Sequence, residues 1–187
     1  DFKCDSNVAI TGDVMVRNGG TTASNSCKFA GNLTSRGNVK LENSTRVEGN
    51  LTTLGNLQVL SAAVAGSAQA GGTANVENGG SVAGSLTAAG TGTSYLYQAK
   101  LGQTWIGGSL RSNLEAQVTG DLWVAGTGSV AITNTKATGS IKLGGSYSGT
   151  APTVGGAFLT GQRDIGVPPA PLLPTSPITP DSPTFTW

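Results

Sequence analysis

Phe29-Ala30-Gly31-Asn32-Leu33 and Val47-Glu48-Gly49-Asn50-Leu51 decide the fold, because the second segment repeats the first 18 residues later. Each places an apolar residue two positions before a glycine and a leucine two positions after it. The same five-residue pattern starts at Ile10, Val64, Val82, Ile106, Val118, Ala137 and Val154. Its glycines (Gly12, Gly31, Gly49, Gly66, Gly84, Gly108, Gly120, Gly139 and Gly156) are separated by 19, 18, 17, 18, 24, 12, 19 and 17 residues. The two irregular intervals together equal two periods of 18, so one period runs from Gly12 to Gly156. Self-similarity at such a period is the signature of stacked repeats whose apolar faces are buried only by their neighbours.

A finer spacing of six is visible at Gly31, Gly37, Asn43, Gly49, Gly55 and Ser61. Three sides of six residues make a triangular coil. Within a side, apolar residues are two apart, as in Val39/Leu41 and Leu57/Val59, which points one set inward and the other outward. Stacking at 18 places Leu33 over Leu51, Val39 over Leu57 and Leu41 over Val59. Glycine and asparagine fall at the corners, where positive φ is expected. The third side carries weak apolar signals, with Thr45 and Ala63 in its inward slot. That departs from left-handed hexapeptide coils and favours a right-handed one. The expected fold is all-β: a single-stranded right-handed β-solenoid of about eight turns over residues 8–166. Residues 1–30 form an N-terminal cap and first turn, and residues 167–187 a proline-rich tail. A loop-rich insertion is expected around Ser94 to Gln103.

The segment Arg46-Val47-Glu48-Gly49-Asn50-Leu51, with Gly55-Asn56-Leu57-Gln58-Val59 after it, resembles a repeat of the bactofilins, bacterial polymer-forming proteins with a right-handed triangular β-helix. Over about residues 8–160 the resemblance implies that fold, head-to-tail polymerisation through the end turns, and no active site.

Composition agrees with stacked strands. Glycine accounts for 29 of 187 residues and charged residues for only 11%, against about 25% in an average domain; directly stacked like charges would repel. A net charge of +1 with scattered Lys and Arg predicts no nucleic-acid partner. No run of 18 apolar residues predicts a membrane-crossing helix. The chain begins at Asp1 without a methionine, which suggests a processed product whose signal or anchor segment lies outside it.

Cys4 and Cys27 are the only cysteines. They read as a disulfide closing an N-terminal loop, worth about 3 kcal/mol in the loop-entropy description, or as two unrelated thiols; the disulfide is the favoured reading and implies an oxidising compartment. With no histidine there is no catalytic triad and no imidazole base, and the carboxylates are dispersed, so neither catalytic nor metal residues are assigned and no cofactor is expected. The remote enzymatic reading is a polysaccharide lyase. An ice-binding face would repeat Thr-x-Thr on successive turns, whereas Thr91/Thr93 and Thr133/Thr135 stand alone.

Two features point to partners. Tyr95, Tyr97, Trp105 and Trp123 hold four of the ten aromatics, with Trp105 and Trp123 one period apart. They read as a surface for sugar or protein, or as the dock for the tail, since aromatic grooves receive polyproline II. In the tail, Pro168, Pro171, Pro174, Pro177, Pro180 and Pro183 recur every third residue and form one stripe of a polyproline II helix; Phe185 and Trp187 end it. The stripe reads as a stalk or as a strap on this rod or a neighbour. The chain is expected to be an exported bacterial surface or appendage subunit, partnered with itself, with other pilus-associated proteins or, as an adhesin, with glycan.

Overall fold

The computed structural model describes residues 1–173. Among them every regular element is a strand, and 27 short strands form three parallel nine-stranded sheets. Successive strands visit the three sheets in rotation, so the chain is a β-solenoid of nine triangular turns. Turn 1 consists of Phe2–Cys4 on face A, Ala9–Ile10 on face B and Val14–Val16 on face C. Turn 3 consists of Val39–Glu42, Arg46–Val47 and Leu51–Thr53, and turn 9 of Tyr147–Gly149, Thr153–Val154 and Phe158–Leu159. At about 4.8 Å per turn the rod is about 43 Å long. The expectation of about eight turns counted the intervals between corners, whereas each sheet holds nine strands and the chain makes nine turns. Within residues 1–30, expected as a cap and first turn, regular strands begin at Phe2 and the segment supplies all of turn 1 and part of turn 2.

Face C shows the register most directly. Val14, Leu33, Leu51, Ala68, Leu86, Thr104, Leu122, Ile141 and Phe158 stack in one column. The expected stacks of Leu33 on Leu51, Val39 on Leu57 and Leu41 on Val59 are present. The irregular intervals of 24 and 12 disappear, because the sixth corner is Leu101-Gly102-Gln103-Thr104, with Leu101 over Val82 and Thr104 over Leu86. Gly108 belongs to the next corner, between faces C and A. The loop expected at Ser94 to Gln103 is instead the five-residue strand Thr93–Tyr97 followed by Lys100–Leu101.

The core is a set of aliphatic columns. Val39, Leu41, Val47, Leu51, Leu57, Val59, Val64 and Leu86 are all buried. On the weak side the inward slot above Thr45 is filled by Ala62 rather than Ala63, which faces outward. Some buried hydroxyls are satisfied locally: Thr45 Oγ1 donates to the Glu42 carbonyl of its own turn at 2.7 Å, and Ser112 Oγ meets Thr135 Oγ1 of the next turn at 2.7 Å. This satisfies groups that would otherwise be costly to bury.

The three corners work differently. Only the corner between faces A and B depends on positive φ throughout. It places Asn25, Asn43, Ser61, Asn78, Gln98, Leu114 and Asn134 in one column, all with φ between 50° and 57°. At the other two corners most glycines have ordinary φ, and the requirement is space. A methyl group on Gly66 would lie 2.6 Å from the Gly49 carbonyl oxygen, and one on Gly37 would lie 2.5 Å from the Gly19 carbonyl carbon. Turns close enough to hydrogen-bond leave no room there for a Cβ.

The residue after many of the corner glycines links one turn to the next. Asp13 Oδ1 accepts the Asn32 N–H at 2.7 Å, Asn32 Oδ1 the Asn50 N–H at 2.8 Å, and Asn50 Oδ1 the Ser67 N–H at 2.8 Å. Asn38 and Asn56 repeat this at the corner between faces C and A. The recurring Gly-Asp, Gly-Asn and Gly-Ser pairs therefore combine a bare Cα with a side-chain acceptor for the following turn.

Candidate functional site: the outer faces and the ends of the rod

The outward column of face C runs Met15, Thr34, Thr52, Gln69, Thr87, Trp105, Trp123, Lys142 and Leu159. Trp105 and Trp123 stack on successive turns edge to face, with centroids 5.8 Å apart. Beside this column lies a shelf of small residues, Gly71, Ala89, Gly107, Ala125 and Gly144, each directly after its strand on face C.

After turn 9 the chain returns along this side. Trp105 Nε1 donates to the Gly166 carbonyl at 2.8 Å. Val167 lies over Gly107, where an added methyl group would come within 3.1 Å of Val167 Cγ1. Pro168 and Pro171 are buried, while Pro169, Ala170 and Leu172 are exposed. That three-residue alternation is the pattern of a polyproline II strand with one edge seated. Leu172 reaches a groove of about 290 Å³ that includes Asp13, Asn32, Asn50 and Thr52. Gly166 to Leu172 thus runs from turn 6 to turns 2–3, opposite to the direction of coiling. Six residues at about 3.1 Å each cover about 19 Å, and three to four turns rise about 14–19 Å. Pro174, Pro177, Pro180, Pro183, Phe185 and Trp187 lie outside the described residues.

Tyr95 and Tyr97 are elsewhere. Both sit on the outer side of face A, with centroids 5.8 Å apart; Tyr95 is flanked by Asn75 and Arg111, and Tyr97 by Glu77 and Asn113. The four aromatics are therefore two pairs on two faces rather than one surface. Trp105 of the tryptophan pair touches the returning chain, and the tyrosine pair stands beside polar groups. The sequence suggested the tryptophan stack through its 18-residue spacing, but nothing in it showed that the tyrosines lie on another face.

The bactofilin resemblance pointed to the end turns as contact surfaces, but the sequence did not single out which of their residues face outward along the rod. No described strand pairs with the outer edges of turn 1 or turn 9. Their inward positions hold Phe2, Ile10 and Val14 at one end and Val154 and Phe158 at the other, all only partly buried. Tyr147 takes an inward position in turn 9 and packs on Phe158 with centroids 4.9 Å apart, yet stays 37% exposed. The signal was present in the apolar residues of the first and last described repeats, whose outer edges pair with no described strand.

Cys4 and Cys27 form a disulfide with Cα atoms 6.2 Å apart, and both are buried. It joins turn 1 to turn 2 through the core, which suits an oxidising environment. Surface charge is largely paired in turns 2 and 3. Glu48 receives Arg46 at 2.8 Å and Lys28 at 3.2 Å, and Lys40 meets Glu42 at 2.8 Å. The hydrogen bond from Arg46, then that from Lys28, holds the Glu48 carboxyl below its ordinary value, and the same contact raises Arg46. Hydrogen bonds from Asn25 and Ser24 similarly lower Asp5.

No family model matches the chain, and no curated protein or solved structure matches it either. Its class rests on the fold: a β-solenoid scaffold along which residues 166–172 return, with end turns whose outer edges pair with no described strand.

Proposed function

We propose that this chain is a structural subunit that associates with itself end to end, exported to the cell surface or an appendage. The observation that carries the reading is the pair of open ends. Each presents three parallel edges that no described strand pairs, around partly exposed apolar residues: Phe2, Ile10 and Val14 at one end, Tyr147, Val154 and Phe158 at the other. Both ends share one triangular cross-section. A second copy placed on turn 9 would extend the sheets and cover residues that otherwise meet water. The bactofilin-like repeat supports the same assembly, and the disulfide supports export. Without a catalytic residue assigned, the reading requires no chemistry beyond packing and hydrogen bonding.

Two end-blocked variants test it, with sedimentation velocity and negative-stain microscopy as readouts. The full chain should give concentration-dependent rods. Ile10→Asp blocks one end and Val154→Asp the other, so neither alone should grow filaments, while their mixture should stop at dimers through the two intact ends. A full chain that stays monomeric at all concentrations overturns the proposal.

A second reading, a binding module, rests on Tyr95 and Tyr97 beside Arg111 on face A, a combination suited to stacking on sugar rings and bonding their hydroxyls. Loss of glycan retention in Tyr97→Ala would support it; retention by neither protein would remove it.

A further inference from the structure

The returning tail has more length than its own rod can use. Leu172 is already at turns 2–3, so no more than about 10 Å of face C remains beyond it. Fourteen residues follow Leu173. In an extended proline-rich strand they can reach about 43 Å. Their sequence keeps a proline at every third position, Pro174, Pro177, Pro180 and Pro183, the spacing that seats Pro168 and Pro171.

A receiving surface lies at the opposite end of the rod. The shelf that carries Val167 at Gly107 continues toward turn 9 as Ala125 and Gly144. A groove of about 590 Å³ opens there, formed by these two residues with Thr127, Ser146, Gly161 and Arg163. On the same rod this groove is behind the tail. In an end-to-end stack, the turn 9 end of the next copy lies directly ahead of it, on the same face. From Leu172 to that groove the path is about three turns, about 14 Å, or about five residues of extended strand.

We propose that residues 174–187 of one copy occupy the Ala125/Gly144 groove of the copy stacked on its turn 1, so that the tail straps each junction. The occupant is a second copy of this chain, and the inference rests on the end-to-end reading above. The first half of the tail sets direction and face, anchored by Trp105; the second half crosses to the neighbour.

Ser146→Cys combined with Ile178→Cys tests the path. While the strap is docked, this pair cannot close within one copy: Ser146 and Leu172 are about six turns apart, about 29 Å, along the rod, whereas the six residues from Leu172 to position 178 span at most about 22 Å. Under mild oxidation the double variant should give a non-reducing ladder of dimers and higher multimers, at least about fivefold above either single variant. A second protein, truncated after Leu173, keeps the seated half of the tail. Its concentration for half-association should rise about tenfold, equivalent to about 1.4 kcal/mol per junction. Stacks that form normally in both proteins, with no ladder and no concentration shift, overturn the strap and leave end-to-end association standing. Absence of stacks in the full chain overturns both.

Discussion

At the scale of single residues, the corner positions separate two requirements that sequence alone merges. Gly66 and Leu114 illustrate them. Gly66 lacks positive φ and is needed because a Cβ would press on the Gly49 carbonyl. Gly66→Ala should therefore destabilise by about 1–3 kcal/mol, the usual cost of forcing extra volume into a packed site, seen as a lower midpoint in chemical denaturation. Leu114 presents the opposite case. It occupies the positive-φ column at φ 57° and is 52% exposed. A left-handed backbone costs a branched residue about 1–2 kcal/mol, and the same column holds asparagine at 25, 43, 78 and 134. Leu114→Asn should stabilise by about 0.5–1 kcal/mol and raise the melting temperature by about 1–4 °C in a chain of this size. A decrease in either measure would mean that Leu114 makes a contact worth more than its backbone strain.

At the scale of elements, the strap depends on one directional bond and two buried prolines. Removing the donor with Trp105→Phe keeps an aromatic ring on Trp123 but leaves the Gly166 carbonyl without its partner. Trypsin cleavage after the exposed Arg163 should then become several-fold faster, because cleavage needs the segment to lift, while the sheets remain intact by circular dichroism. Unchanged cleavage would show that the prolines alone hold the strap. This level also shows what could be read from the chain. The face C column was legible because Leu33, Leu51 and Leu86 recur with glycine two residues before each. It was lost at turn 6, where Thr104 takes the apolar slot and Ile106-Gly107-Gly108-Ser109-Leu110 reproduces the motif one corner later. Thr104 is tolerated inside because its hydroxyl donates to the Gly102 carbonyl at 3.0 Å, a bond that periodicity does not reveal. Tyr95 and Tyr97 were misgrouped with the tryptophans for the same reason: face assignment depends on register, and register was ambiguous in that turn. Side-chain acceptors such as Asn32 and Asn50 were read as turn residues, since their role toward the next turn exists only after stacking.

For the whole molecule, the charge pattern sets the response to pH. The chain has no histidine, so no side chain titrates at its ordinary value between pH 6 and 8. Glu48 and Asp5 are lowered in the folded state. A lowered carboxylate contributes stability above its unfolded value, and that contribution is lost as pH falls through the folded one. The melting temperature should be level from pH 6 to 8 and fall below about pH 4, where carboxylates begin to protonate. A clear transition near pH 6.5 would contradict this.

The stacked architecture also predicts how the rod opens. Among the described residues each turn is held by its two neighbours, except turns 1 and 9, which have one each. In such one-dimensional arrays opening starts where a neighbour is missing. Hydrogen exchange of the dispersed protein should therefore be slowest in turns 4–6 and fastest in turn 9, whose interior positions Tyr147, Val154 and Phe158 are only partly covered. Turn 1 has the same missing neighbour but is tied to turn 2 by Cys4–Cys27. Its exchange should be slower than that of turn 9 while the disulfide is intact. Reduction should abolish the difference, accelerating Phe2–Val16 without affecting turns 4–6. Acceleration across the whole rod on reduction would show instead that the nine turns unfold as one cooperative unit, with the bond stabilising all of them through the unfolded chain.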